Sequence, residues 1–419
     1  MTTFNELGVH ASVVDSLAGR GITEAFPIQA ATIPPALAGN DVCGRAPTGS
    51  GKTLAFGIPL LASARKARPR HPRGLVLTPT RELATQIADE LRKLSRRTRV
   101  STFFGGTGYG TQLKALQRGV DIAVACPGRL LDLMDRGAIS LDDVRLAVVD
   151  EADRMADMGF LPEVRKILDR TPEDRQTLLF SATLDGAVDA LIRSYQQDPL
   201  TFRTDEDKLD GTRVAHSFIH VDRHDKIHRT AALAHQHQSI VTFCRTKRGA
   251  DRLARRLSDS GVSVAHIHGD RTQRQRDRAL AEFKEGRAKM LVATDVAARG
   301  IHVDDVDCVI HYDLAGDGKD YIHRSGRTGR AGATGTVVSL VSAEEKGKLV
   351  KLRSELELSD VEFDPALEAP KQQSSTPGRP RRPQRAPRRN AKATGHRKAP
   401  SGASRNQRRR PRKSAASRG

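Results

Sequence analysis

No run in this chain reaches the roughly 18 apolar residues that a membrane-spanning helix needs, so a transmembrane helix is not expected. There are only four cysteines, Cys43, Cys126, Cys244 and Cys308, far apart and in no Cys-x-x-Cys pair. That spacing excludes a disulfide framework and a paired-cysteine zinc site, and fits the reduced thiols of a cytosolic protein. The opening residues MTTFNELGVH lack a basic segment followed by an apolar one, so a secretory leader is not expected either. Apolar content is 37 %, low for a chain that folds throughout. Acid is missing where base is densest: residues 371–419 hold 17 Lys and Arg, with no Asp, Glu or aromatic residue. The whole chain has a net charge of +20, so the preceding 370 residues carry only +3.

What is present is a recurring short apolar run followed by an amphipathic stretch. The first half has GLVLTPT (74–80), DIAVACP (121–127), RLAVVDEAD (145–153) and QTLLFSAT (176–183). The second half has SIVTFCRT (239–246), VSVAHIHG (262–269), KMLVATDV (289–296), CVIHYDL (308–314) and TGTVVSLVS (334–342). Continuous apolar strands separated by segments such as RELATQIADELRKL predict an α/β fold with parallel sheets covered on both faces. Ligands of such sheets bind at the carboxyl ends of the strands. The charged stretch TDEDKLDGTRV (204–214) reads as a linker, which places domains at 1–205 and 214–364 around a linker at 206–213. Residues 365–419, rich in Pro, Arg, Lys and Ser, cannot bury enough apolar surface to offset their ordering entropy. They are expected to be a disordered basic tail.

In VVDEADRM (148–155), Asp150, Glu151 and Asp153 follow directly on a strand. Carboxylates are seldom buried unpartnered, so a positive partner is expected. About a hundred residues earlier, RAPTGSGKT (45–53) lies between the short run DVCG and a plausible helix. Its glycines would turn backbone N–H groups toward phosphate oxygens at a helix N-terminus. Lys52 would reach the terminal phosphates, and the Thr53 hydroxyl would ligate Mg²⁺. Ala46 replaces the first glycine of the usual pattern. Asp150 is the expected second holder of the ion, and Glu151 the group that polarises the attacking water. The plain alternatives are a chance glycine-rich turn and an acidic helix cap.

DEAD at 150–153, together with APTGSGKT, PTRELA (79–84), SAT (181–183), ARGI (298–301) and HRSGRTGR (323–330), resembles the DEAD-box ATP-dependent RNA helicases, over roughly residues 4 to 345. The resemblance implies two tandem RecA-like parallel-sheet domains closing over ATP, with Mg²⁺, and over RNA. By position it implies ATP contacts from Phe4, Gln29, Ala46, Thr48, Gly49, Ser50, Gly51, Lys52, Thr53 and Asp295. Asp153, Ser181, Thr183 and His323 would couple hydrolysis to closure. Arg327 and Arg330 would act as arginine fingers. RNA contacts would come from Pro79, Thr80, Arg81, Gly105, Gly106 and Arg129 in the first domain, and from Thr246, Arg276 and Thr294 in the second. None of these reads bases, so single-stranded RNA or short duplexes would be bound with little sequence preference.

Four places depart from the family pattern: Ile22 for an aromatic that stacks on adenine, Ala25-Phe26 for Pro and a small alcohol, Cys126 for Thr, and His302 for Asp. Altered nucleotide affinity or coupling is expected, not loss of activity. The compact core resembles the bacterial RhlE-like branch, implying a cytoplasmic monomer acting on ribosomal or RNA-decay ribonucleoprotein. For the tail, a non-specific RNA anchor, a solubilising extension and, in a nucleated cell, a nuclear localisation signal stay open. Other readings of the whole are an RNA chaperone with incidental ATP turnover, and a DNA helicase or other P-loop NTPase.

Overall fold

The structure, a computed structural model, describes residues 2–46, 50–184, 186–204, 214–298, 303, 306–329 and 334–356. The first half forms strands β1 (Val42–Arg45), β2 (Gly74–Leu77), β3 (Val100–Phe103), β4 (Ile122–Ala125), β5 (Leu146–Asp150), β6 (Gln176–Ser181) and β7 (Leu200–Arg203). They make a seven-stranded sheet in the order β3-β4-β2-β5-β6-β1-β7, every described pairing parallel. The second half forms β8 (Val214–His220), β9 (Ile240–Cys244), β10 (Val264–Ile267), β11 (Met290–Thr294), β12 (Cys308–His311) and β13 (Gly335–Val341). These make a six-stranded parallel sheet in the order β10-β11-β9-β12-β13-β8. Both sheets lie within one compact body.

Each central strand is apolar at every position because both of its faces are covered. In β5, Ala147 and Val149 enter one cluster, with Leu75, Leu77, Ala123 and Leu179. Leu146 and Val148 enter the other, with Val76, Val124, Leu178 and Phe180. The second sheet repeats this, with Val241, Phe243, Leu291 and Val309 on one side. Ile240, Met290, Val292 and Ile310 lie on the other. At roughly 1.5–3 kcal/mol for each fully buried large aliphatic or aromatic side chain, these layers hold the strand ends in fixed register. Consecutive parallel strands need helical crossovers, and those helices begin at the carboxyl ends of the strands. The side chains that carry chemistry are therefore collected at one rim of each sheet.

The expected α/β class holds. β3, β7 and β8 have no counterpart among the apolar runs, and all three are edge strands. β7 is largely exposed and β3 half covered, so neither needs a continuous apolar sequence. The proposed linker, 206–213, and the tail, 365–419, lie outside the described residues.

Candidate functional site

The three acids of VVDEADRM are buried where β5 ends: Asp150 is 3 % exposed, Glu151 4 % and Asp153 2 %. The chain makes its turn at Glu151, which adopts a left-handed conformation (φ 54°) and caps the helix Ala152–Asp157. A side chain with a Cβ holds that conformation at a cost of about 1–3 kcal/mol, a strain found mostly at functional sites. The Glu151 amide donates to Asp150 Oδ1 at 3.0 Å, and the Asp153 amide donates to Ser181 Oγ at 3.1 Å, joining the ends of β5 and β6. Burial, reinforced by Glu151, pushes the Asp150 carboxyl up to about 7.

Two cations answer the acids. Lys52, the first residue of the helix Lys52–Ser63, is buried, and its Nζ donates to the Ala46 carbonyl at 2.7 Å. Burial pulls its ammonium below the ordinary value, while Asp150, Glu151 and Asp153 oppose that pull. The other cation, Arg154, was not singled out from the sequence. It is 1 % exposed, with Nε 3.6 Å from Glu151 Oε2. The signal was present: an arginine directly after three acids, on the same turn. Part of the positive partner expected for the acids is thus the chain's own.

Among the described residues, the three buried carboxylates face Lys52 and Arg154. Glu151 Oε2 and Asp153 Oδ2 are buried without a hydrogen-bond donor among the described residues. A buried acceptor without a hydrogen bond is costly, and buried carboxylate oxygens that accept none, beside a helix start, fit a hard divalent cation. Asp150 and Thr53, the second residue of the Lys52–Ser63 helix, are the residues that would hold it. Of the phosphate loop, Ala46, Ser50, Gly51, Lys52 and Thr53 are described, while Thr48 and Gly49 lie outside the described residues. Gly51 takes φ 86°, and a Cβ there would collide with Gln29 and Phe26. Gln29 fixes that approach: its Nε2 donates to the Gly51 carbonyl at 3.0 Å and its Oε1 accepts from the Phe26 amide at 2.9 Å. Phe26, 46 % exposed, stands beside this loop. Phe4 departs from the expected nucleotide contact: it is 1 % exposed and packs with Leu7, Val13, Leu17 and Ile33. It anchors the N-terminal segment, whose Thr2 carbonyl accepts from the Ala25 amide at 2.9 Å, behind the Gln29 segment.

The second lobe faces the acids with the helix Gly318–Ser325 and the residues after it. His323 Nδ1 lies 3.2 Å from Arg154 Nη2, and its Nε2 4.0 Å from Asp153 Oδ2. Burial, together with Arg154 and Arg327, holds the imidazole well below its ordinary range, so it stays neutral. Lys319 pairs with Asp157 of the first lobe at 3.0 Å. Arg327 is buried, and Arg154, His323, Arg324 and Arg327 line one opening. Arg330 lies outside the described residues. Asp295, expected to touch nucleotide, has both oxygens held by Arg324, at 2.6 and 2.8 Å. Its carboxylate is thereby committed within the second lobe.

The residues expected to meet RNA occupy corresponding rims. Thr80 and Thr246 cap the helices Arg81–Leu94 and Lys247–Asp259, accepting from Leu83 N at 3.3 Å and Gly249 N at 3.0 Å. Pro79 and Thr294 are buried at strand ends. The Arg81 guanidinium lies against Gly105 and Gly106. Arg129 donates to the Thr107 carbonyl at 3.2 Å and stacks 4.2 Å from the Tyr109 ring centroid. Its donors hold the loop after Gly106. Arg276 also departs from expectation: its Nη2 pairs with the buried Glu82 of the first lobe at 3.0 Å, and Gln273 donates to the same carboxylate at 2.9 Å. It clasps the lobes together. Thr183 lies beyond Ser181 at the β6 end, half-buried.

Two parallel-sheet lobes with a lysine-bearing loop and buried acids on one, and arginines presented by the other, define a two-domain P-loop protein of the helicase type. The family model described as DEAD/DEAH box helicase matches residues 26–191, and that described as Helicase conserved C-terminal domain matches residues 222–332. Arabidopsis thaliana mitochondrial DEAD-box ATP-dependent RNA helicase 9 is 42 % identical over 357 residues, 83 % of this chain and 58 % of that protein. Saccharomyces cerevisiae ATP-dependent RNA helicase DBP2 is 40 % identical over 394 residues, 91 % of this chain and 72 % of that protein. The solved structure of S. cerevisiae Dbp5 bound to RNA and ADP BeF3 matches with a TM-score of 0.77 at 28 % identity, covering 87 % of this chain and 95 % of that one. The chain belongs to the DEAD-box ATP-dependent RNA helicase family. It spans 48–62 % of the length of four plant relatives.

Proposed function

We propose that this chain is an RNA-dependent ATPase that hydrolyses ATP to ADP and phosphate and separates short RNA duplexes or remodels ribonucleoprotein. The observation that carries the reading is the junction at Arg154. This buried arginine of the first lobe touches Glu151 on one side and His323 of the second lobe on the other. The acids belong to the first lobe, and His323 and Arg327, on the same opening, belong to the second, so hydrolysis depends on their closure. Lys52 would bind the terminal phosphates, Gln29 would sense the nucleotide through Gly51 and Phe26, and Asp150 with Thr53 would hold Mg²⁺. That ion, when bound, neutralises phosphate charge. Glu151, held against Arg154, would accept the proton of the attacking water through its undonated Oε2. Arg327 would stabilise the charge that develops on the transferred phosphoryl group.

Single-stranded RNA or a short duplex is the proposed partner. The rims supply helix starts and backbone N–H groups, which contact phosphates without reading bases. The basic residues 365–419 would act as a non-specific anchor, each neutralised phosphate adding about −0.7 to the salt slope. A cytoplasmic, monomeric protein of the RhlE-like branch acting on ribosomal or RNA-decay particles is the proposed setting, supported by the compact core and the sparse cysteines. One experiment tests the function: ATP turnover of the intact chain and of a chain ending at residue 364, with RNA or DNA of the same sequence. Stimulation by RNA over DNA in both chains, with a flatter salt dependence in the shorter one, is expected. Equal stimulation by DNA would overturn the RNA reading, and an unchanged salt slope would overturn the anchor.

A further inference from the structure

Away from the acids, the far edge of the second sheet holds a second convergence of ligating groups. His266 lies on the edge strand β10 and His268 follows two residues later, so the period-2 geometry of an extended chain puts both rings on one side. Asp251 comes from the helix Lys247–Asp259. His266 Nε2 is 3.1 Å and His268 Nε2 2.9 Å from the same Asp251 oxygen, and the three ligand atoms lie within 4.8 Å of one another.

We propose that Asp251, His266 and His268 form a binding site for a borderline divalent ion such as Zn²⁺. Two imidazoles and a carboxylate are the donor set of three-ligand zinc and iron(II) sites that leave further positions open. With metal–ligand bonds of about 2.0–2.1 Å, the edges of a tetrahedron are about 3.3 Å. The oxygen–nitrogen separations here are shorter than that by a few tenths of an ångström, so an ion moves the carboxylate slightly away from the two rings. His268 is buried and its ring orientation is fixed by packing.

The neighbouring charges set the limits. Arg271 Nη2 lies 3.8 Å from the Asp251 oxygen and 3.4 Å from His266 Nδ1. Asp270 is paired with Lys247 at 2.5 Å. To ligate through Nε2 each neutral ring carries its proton on Nδ1, and the half-buried Arg271 head, now facing a donor at His266 Nδ1, moves outward. His268 Nδ1 is buried with no partner among the described residues, so the outer hydrogen bond that usually strengthens such a ligand is missing. The site is therefore one for reversible binding. Its neighbourhood gives it a consequence: Arg271 leads directly to Thr272, which caps the helix whose Gln273 and Arg276 clasp Glu82 of the other lobe.

The test uses the whole chain, stripped with a chelator and dialysed into excess Mg²⁺, so that a hard-ion site at the acids does not compete for the probe. Titration with Co²⁺ should give one equivalent with the strong visible absorption of a low-symmetry, nitrogen-ligated ion, displaced by Zn²⁺. His266→Ala and Asp251→Asn, both at partly exposed positions, should each weaken binding about tenfold or more while unfolding at the metal-free wild-type temperature. On the unmutated protein, Zn²⁺ should protect the partly exposed His266 ring from acylation, read by mass spectrometry. Absence of the one-equivalent Co²⁺ spectrum, affinities within about twofold of wild type in both variants, or no protection of His266 would each overturn the site.

Discussion

At the carboxyl end of β5, three buried carboxylates share Lys52 and Arg154, whereas at the carboxyl end of β11, Asp295 is gripped by both arms of Arg324. The two sheets are built alike, with parallel strands, two covered faces and polar groups at the same rim. One rim is electrostatically complete and the other is not. The complete one behaves as scaffold: Arg324 also donates to the Asp313 carbonyl at 2.7 Å, tying two strand ends together. The incomplete one keeps acceptor oxygens without donors among the described residues, strains its turn at Glu151 and raises the proton affinity of Asp150. Those are the properties of a place prepared for something that arrives.

The sharpest way to break this contrast is Glu151→Gln, which keeps shape and burial and removes one basic oxygen. RNA-stimulated ATP turnover should fall about 10²–10⁴-fold with ATP and RNA binding retained, and steady-state kinetics with separate binding titrations would check both. Turnover close to that of the intact protein would remove Glu151 from the chemistry. On the complete rim the expectation is reversed. Asp295→Ala strands the buried Arg324 cation and should destabilise the second lobe by about 2–3 kcal/mol, read by denaturant unfolding. A stability unchanged by that substitution would show that the pair contributes little.

A smaller effect separates the rims by pH. The Asp150 carboxyl is raised from its ordinary 3.8 to about 7 by burial and by Glu151. The folded state therefore holds a proton that the unfolded chain releases. The stability this confers is complete below about pH 4 and is lost as pH rises through 7. Buried histidines act oppositely: burial lowers His216 to about 4, so its contribution is lost as pH falls through that value. The readout is therefore the difference between wild type and Asp150→Asn in metal-free buffer. That difference should shift against the wild type between about pH 4 and 7, and a flat difference there would remove Asp150 as the group with raised proton affinity.

Much of this was legible in the sequence, and the exceptions have causes. Central strands were readable because burial on both faces forces continuous apolar runs, while edge strands such as β7 escape that demand. Lys52, Asp150 and Glu151 stand out in the sequence because a loop and a strand end constrain their spacing, and Gln29 only through the family resemblance. Arg154 does not, because an arginine beside acids has the same residue type whether it is a solvated cation or a buried one. Phe4 and Arg276 were assigned to ligands, but the structure gives one to packing and the other to a clasp between lobes. Neither choice could be made from residue type, since a buried phenylalanine and a stacking one look the same in sequence, as do a phosphate-binding arginine and a paired one.

The claim underneath all of this is that the incomplete rim is completed across the lobes. The most direct measurement is RNA-stimulated ATP turnover of the intact chain carrying Arg327→Ala, with ATP affinity followed in parallel. An arginine presented in this way is worth about 10³–10⁵ in rate. Turnover should therefore fall at least about a thousandfold while ATP affinity changes little. A variant that hydrolyses ATP at the rate of the unmodified chain would contradict the account.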